Sequence, residues 1–134
     1  MQEKIAHLKK VFFEGLSEKE VYEKIIEFGR TTPEFPESEK IERNIVTGCQ
    51  SLLFLTHRFE HGKIYFNIHS EALISKGLSS LLVYLYSEQE PQKLFTTPPI
   101  CLQEMNVLKK ISITRQLGVA NVYSAMKDLA SKYL

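Results

Sequence analysis

A change of hydrophobic period near His69 limits the possible folds of this chain more than any other feature. Before it, Ile64, Phe66 and Ile68 alternate with more polar residues, which is typical of a strand with one buried face. After it, apolar residues recur at helical spacing through 73–85, which predicts a well-buried helix of about four turns. The sequence therefore predicts a strand region that packs against a core helix.

The strand region has the pattern of a β-hairpin. SLLFLTHRF (51–59) and KIYFNIH (63–69) are rich in aromatic and branched residues, and EHG between them supplies a glycine for a tight reversal. RNIV, residues 43–46, is a candidate third strand. We therefore expect a small antiparallel sheet of about three strands.

Helices are predicted at both ends of the chain, with the strand region between them. The first covers Gln2 to Glu14, and SEKE (17–20) forms a capping-box pattern that opens a second helix ending near Gly29. A last helix carries apolar residues at helical spacing from Val119 to Tyr133. The fold class is therefore α+β.

Two smaller features refine this prediction. Residues 30–40 contain two prolines and several small polar residues, and they are interpreted as a surface loop. Ser70 is a candidate cap for the core helix. Gly77 inside that helix costs roughly 1 kcal/mol relative to alanine, which predicts close packing against the sheet.

The composition sets limits on function. A chain of 134 residues is the size of one domain, and 43% hydrophobic with 25% charged residues is typical of a globular protein. Seventeen basic and sixteen acidic residues give a net charge of +1, which disfavours binding to nucleic acid or an anionic membrane. The N-terminal sequence lacks the apolar core of a signal peptide, so we expect a cytoplasmic single domain over 1–134.

The two cysteines, Cys49 and Cys101, are expected to be free thiols, and neither belongs to a CxxC pair. No metal site is predicted. Cys49 follows Gly48 at the start of an apolar run, in NIVTGCQSLLFL, where a turn can present the sulfur. A thiolate there could attack the outer sulfur of a persulfide on another protein without a metal or cofactor. The alternative is a packed or incidental loop cysteine.

Two other classes of function stay open at this point. A cysteine-dependent hydrolase would pair Cys49 with a base, for which His57, His61 and His69 are candidates without specific spacing. A pure interaction module would use no thiol chemistry.

The segments NIVTGCQS, YEKIIEFGR, PEF, SEALISKGL and TRQLGV together resemble the SufE family. The resemblance runs from about Val21 to the C-terminus, and GCQS (48–51) is its most specific part. It implies an α+β domain like the IscU scaffold fold without that scaffold's three metal-binding cysteines. It fits both the SufE and the CsdE branch.

The resemblance also implies a function. Cys49 would receive a persulfide from a pyridoxal-phosphate cysteine desulfurase of the SufS or CsdA type, with Gly48, Gln50 and Ser51 forming the surrounding loop. The sulfur would pass to an iron-sulfur assembly scaffold, such as a SufB-containing complex. The chain itself would be an accessory activator of the desulfurase rather than an enzyme, and would hold no cofactor.

Two further positions match the family. Glu71, where the family often has aspartate, would begin the core helix, and Arg115 would begin the last helix. Both could border the cysteine loop, and Arg115 could stabilise the Cys49 thiolate. Cys101 matches no family cysteine and is expected to serve packing.

Overall fold

The computed structural model describes residues 1–134 apart from the side chain of Asn106. Short 3-10 turns occur at Glu37–Glu39, Glu42–Asn44 and Ser131–Tyr133. The helices and strands, in chain order, are α1 (Gln2–Val11), α2 (Glu18–Gly29), β1 (Phe54–Glu60), β2 (Lys63–His69), α3 (Leu73–Tyr86), α4 (Lys93–Thr96), α5 (Ile100–Glu104), α6 (Asn106–Lys109) and α7 (Ile113–Ala130). The α+β class is confirmed.

The predicted capping box at the start of α2 is confirmed. The Ser17 hydroxyl accepts from the backbone N–H of Glu20 at 3.1 Å, and the Glu20 carboxylate accepts from the backbone N–H of Ser17 at 3.0 Å. The helix ends at Gly29, as predicted. Helix α1 is shorter than predicted and ends at Val11 rather than Glu14.

The β-hairpin is also confirmed. Strands β1 and β2 pair antiparallel, with Leu55 opposite Ile68 and His57 opposite Phe66. The turn between them places His61 and Gly62 at φ of 51° and 77°. Positive φ at both central residues matches the right-handed twist of the strands, which is why glycine is favoured there.

The prediction of a third strand was wrong, because the described chain contains a two-stranded sheet. Residues Glu42–Asn44 wind into a 3-10 turn, so only the end of the RNIV segment is extended. That end makes one bridge, between Ile45 and Phe54. The backbone N–H of Val46 then donates to the Leu53 carbonyl at 2.9 Å. This bond closes the neck of the loop that carries Cys49.

Helix α3 is the centre of the core, as its apolar pattern predicted. It packs on α2 and β2, and its buried face includes Leu78, Leu81, Leu82 and Leu85.

The start of α3 differs from the prediction. Ala72 is the N-cap residue, and Ser70 lies before it. The Ser70 hydroxyl accepts from the Ala72 N–H at 3.2 Å and donates to the Leu52 carbonyl at 2.9 Å. Ser70 therefore joins the loop before β1 to the start of α3 instead of capping the helix.

The close packing predicted at Gly77 exists, but its partner is α2 rather than the sheet. A Cβ at Gly77 would overlap the backbone carbonyl of Ile25, and a Cβ at Gly29 would lie 3.0 Å from the Gly77 Cα. Two glycines therefore allow the two helix backbones to approach each other.

The C-terminal part of the chain also packs against α3. Helix α7 buries Val119, Val122 and Met126. The Tyr86 hydroxyl donates to the Thr97 carbonyl at 2.6 Å, which attaches the segment of short helices to the core. In the described part of the chain, no helix is both long enough and apolar enough to cross a membrane.

Candidate functional site

Cys49 lies on a short loop, residues 47–52, whose two ends are joined by the hydrogen bond from Val46 to Leu53. Gly48 has φ of +81°, a conformation that glycine adopts without steric cost. The backbone thus turns just before the cysteine. The Cys49 side chain is half-buried and packs against the core.

The Cys49 sulfur lies at a small cavity between the loop and two helices. Its Sγ is 3.8 Å from the carbonyl oxygen of Gly118 in α7. The cavity measures about 20 Å³, which is room for roughly one water-sized atom. Its walls include Leu53 from the loop side, Leu78 and Ser79 from α3, and Arg115, Val119 and Val122 from α7.

Burial in this place raises the pKa of the Cys49 thiol above its ordinary value. Only the thiolate is a strong nucleophile. In the conformation observed here, Cys49 is therefore mainly a protonated thiol at neutral pH.

Asn121 in α7 fastens the loop, and sequence reasoning missed it. Its Nδ2 donates to the carbonyl oxygen of Gly48 at 2.8 Å. A Cβ at Gly48 would collide with the same amide. The nearest signal in the sequence was Gly48 itself, but nothing local indicated a partner 73 positions further on.

The structure brings Arg115 and Gln50 to the same cavity as Cys49. Arg115 is the third residue of α7, after the N-cap Ser112, whose hydroxyl accepts from the Arg115 N–H at 3.3 Å. Burial is the cause of the raised pKa of Cys49 in this conformation. Ser51 is half-buried on the loop and lies outside the cavity wall.

Glu71 does not begin the core helix, which corrects the sequence prediction. It lies before the N-cap, its side chain is 91% exposed, and its carboxylate accepts from Nε2 of His69 at 2.9 Å. This hydrogen bond lowers the pKa of Glu71. Glu71 is therefore a surface carboxylate outside the wall of the Cys49 cavity.

The family model described as "SufE: Fe-S metabolism associated domain" matches residues 6–130. The chain belongs to the SufE family. Its membership indicates a role in iron-sulfur metabolism.

Known relatives agree with this membership. The SufE-family chain is 27% identical over 112 residues to an uncharacterized SufE-like protein of Synechocystis sp., covering 84% of this chain and 70% of that one. It is 31% identical over 85 residues to chloroplastic SufE-like protein 2 of Arabidopsis thaliana, covering 63% and 33%. It is also 31% identical over 84 residues to chloroplastic quinolinate synthase of the same plant, covering 62% and 12%. The matched region thus spans a third or less of each of the two plant proteins.

A solved structure supports the fold. The solution structure of a hypothetical protein from Thermus thermophilus matches with a TM-score of 0.79 and 19% identity, covering 97% of this chain and 95% of that one.

The three candidate histidines of this SufE-family chain lie outside the lining of the Cys49 cavity. His57 Nε2 lies 2.7 Å from the Tyr133 hydroxyl, His69 bonds Glu71, and His61 is in the hairpin turn. Among the described residues, no histidine lines the Cys49 cavity. The geometry of a cysteine-histidine hydrolase is therefore not formed.

Cys101 lies in α5 and is buried, with a pKa raised mainly by burial. Both cysteines are free thiols, as predicted. In the part of the chain that the structure describes, no three His, Cys, Asp or Glu side chains cluster as metal ligands would.

A larger cleft of about 720 Å³ contains neither cysteine. It is bordered by His57, by the Arg58 guanidinium over the Tyr65 ring at 4.1 Å, and by the Lys4 ammonium 5.3 Å from the Tyr84 ring centre. Cys49 therefore lies at the smaller cavity and not in this cleft.

Proposed function

We propose that Cys49 accepts one sulfur atom from a cysteine desulfurase as a persulfide and delivers it to an iron-sulfur assembly scaffold. One observation carries this proposal: a half-buried cysteine sits on a loop beside a cavity with room for about one further atom. On this proposal, residues 1–134 act as a single SufE-like domain in the cytoplasm.

The transfer uses one sulfur of this chain. The Cys49 thiolate attacks the outer sulfur of the desulfurase persulfide, a new S–S bond forms at Cys49, and the old S–S bond breaks. The desulfurase cysteine leaves as a thiolate, free for its next turnover, so removal of the sulfur stimulates the desulfurase. The pyridoxal phosphate belongs to that SufS-like or CsdA-like partner, and this chain acts as an accessory.

The cavity suits storage between the two transfers. A persulfide at Cys49 adds one sulfur atom, and a buried persulfide is protected from reductants and oxidants in solution. Gly48, Gln50 and Ser51 would move with Cys49 when a partner draws the loop out. Delivery to a SufB-containing scaffold would repeat the exchange in the other direction.

Two charged residues have proposed roles at docking. Arg115 lines the cavity, and its guanidinium would stabilise the thiolate once the sulfur leaves its buried position. Glu71 is exposed, and its carboxylate is available for a contact with the partner protein.

Mass spectrometry of the intact chain tests this function. The reduced protein is incubated with a cysteine desulfurase, pyridoxal phosphate and free cysteine, and the peptide that gains sulfur is mapped. We expect a gain of about 32 Da on Cys49. Cys49→Ser should lose the gain and keep the fold, whereas Cys101→Ser should keep the gain.

The other two classes of function give different results. A hydrolase would turn over thioester or peptide substrates without a partner. An interaction module would bind and stimulate the desulfurase equally well with Cys49→Ser. Either result, together with no added sulfur on an active desulfurase mixture, would refute the persulfide role.

A further inference from the structure

We infer that Asn121 is a positioning residue that holds Cys49 in its buried position, and that breaking its single hydrogen bond to Gly48 releases the cysteine loop. This inference rests on the proposed function, because it explains how a buried thiol becomes available to a sulfur donor. It concerns a residue outside the GCQS segment.

The loop is fastened at few points. Its neck is closed by the bond from Val46 to Leu53, and its far end by the bond from Ser70 to the Leu52 carbonyl. Between these ends, the described polar contacts to the rest of the protein both go to α7. Asn121 donates to the Gly48 carbonyl at 2.8 Å, and the Cys49 sulfur lies 3.8 Å from the Gly118 carbonyl.

The bond from Asn121 is the stronger of these two contacts. An amide donor at 2.8 Å from a carbonyl oxygen has good hydrogen-bond geometry, whereas a thiol at 3.8 Å is a weak donor. The cysteine side chain gains little polar interaction of its own. Its buried position therefore depends on the residue before it being held on α7.

The fit at Gly48 is specific. A Cβ at this position would overlap the Asn121 amide, and φ of +81° would strain any residue with a Cβ. The side-chain amide thus occupies the space that a larger residue would fill. Glycine is therefore required at position 48 for two reasons: its backbone has a positive φ, and the Asn121 amide lies where a Cβ would be.

The helix that carries Asn121 is itself packed in the core. Asn121 lies in α7 between Val119 and Val122, both of which are buried. Release of the loop therefore requires no movement of the helix. The bond from Asn121 is exchanged for a contact with water or with a docking protein, and the Cys49 side chain leaves its place against the core.

Alkylation of the two cysteines in the free protein tests this inference without a desulfurase. We expect Asn121→Ala to raise the rate of Cys49 modification by iodoacetamide about threefold to tenfold, the range expected when one net hydrogen bond is lost. Cys101 reports on global opening and should keep its rate. Gln116→Ala is the matched control, since Gln116 lies on the same helix and its amide donates to the Leu108 carbonyl at 2.8 Å, away from the loop.

A second variant tests the contact from the loop side. Gly48→Ala should also raise the Cys49 rate, and the double variant with Asn121→Ala should show less than the product of the two single effects, because both changes break one contact. Circular dichroism verifies the fold of each variant.

An unchanged Cys49 rate in folded Asn121→Ala would overturn the inference, and so would an equal rise at Cys49 and Cys101 or an equal rise in Gln116→Ala. These results are separate from the proposed function. A chain that accepts no sulfur from a desulfurase can still show selective release of Cys49 in Asn121→Ala. A chain that accepts sulfur can equally show no change in the Cys49 alkylation rate in that variant.

Discussion

Gly77 of α3 touches the backbone of Ile25 in α2 so closely that a Cβ on Gly77 would overlap the Ile25 carbonyl oxygen. The obstacle is backbone, which cannot move aside as a flexible side chain can. The contact between α2 and α3 therefore depends on the absence of a side chain at this position.

We expect Gly77→Ala to destabilise the fold by about 1–3 kcal/mol, because overpacking forces two helices of the core apart. Gly118→Ala in α7 is the comparison: a Cβ there meets no atom within 4 Å, so it should stabilise by roughly 0.5–1 kcal/mol through helix propensity. Urea unfolding measures both. Equal midpoints for the two variants would contradict the packing argument.

The pH dependence of Cys49 alkylation follows from its burial. Because burial raises the pKa of the folded thiol, half of the Cys49 thiol is ionised only at a pH above the ordinary thiol value of about 8.5. The alkylation rate of the folded free protein should therefore rise with pH through a midpoint above about pH 8.5. In urea, where the thiol is exposed, the midpoint should lie at about pH 8.5. Peptide mapping of Cys49 gives the rate. A midpoint below the ordinary thiol value in the folded protein would mean that Arg115 outweighs burial.

The same shift has a consequence for stability. The folded state favours the protonated thiol, so this contribution to the free energy of unfolding is fully present below about pH 8.5 and is lost as the pH rises through the folded pKa. Urea unfolding of the wild type and Cys49→Ser, from neutral to alkaline pH, should show the wild type losing more stability at the alkaline end. Parallel curves would contradict this expectation.

Arg115→Ala should slow sulfur acceptance about tenfold, which corresponds to about one pKa unit of thiolate stabilisation in the docked state. Alkylation of the free protein should change little, because burial dominates there. Arg115→Lys keeps the charge and should recover part of the rate. The measurement is the initial rate of sulfur transfer to Cys49, with Cys49→Ser as the blank. An equal loss in the alanine and lysine variants would exclude charge as the cause.

His57 and Tyr133 connect β1 to the C-terminal turn. Tyr133→Phe removes the hydroxyl that lies 2.7 Å from Nε2 of His57 and keeps the ring stacked on Phe59 at 4.3 Å. It should lower the free energy of unfolding by about 1 kcal/mol. Sulfur acceptance should be unchanged in Tyr133→Phe and in His57→Ala, since neither residue lines the Cys49 cavity. Loss of acceptance in a folded His57→Ala would support a role for histidine as a base.

Local sequence patterns predicted the elements whose causes are local. The capping box at Ser17 and Glu20 and the reversal at Gly62 depend on residues within a few positions of each other, and both formed as expected. The RNIV segment (43–46) does not form a strand, because its first two residues belong to the 3-10 turn at Glu42–Asn44. An extended pattern of four residues cannot show whether a partner strand lies beside it.

Local sequence patterns did not predict the contacts between distant parts of the chain. The place of Cys49 after Gly48 was visible in the sequence, but its half-buried position depends on α7. Asn121 is 73 positions from Gly48, and only the folded chain brings them together. Gly77 likewise indicated a close approach in the sequence. Its partner is Ile25 rather than the sheet, because the contact depends on how α2 lies against α3.

Helix α3 connects the central framework to the cavity beside Cys49. It meets α2 at Gly77, and the next two residues, Leu78 and Ser79, form a fixed wall of the cavity beside the Cys49 sulfur. The opposite boundary includes a loop of six residues. On the proposed function, loading and unloading of sulfur would require movement only of the loop, so the energetic cost of the transfer would be separated from the stability of the whole molecule.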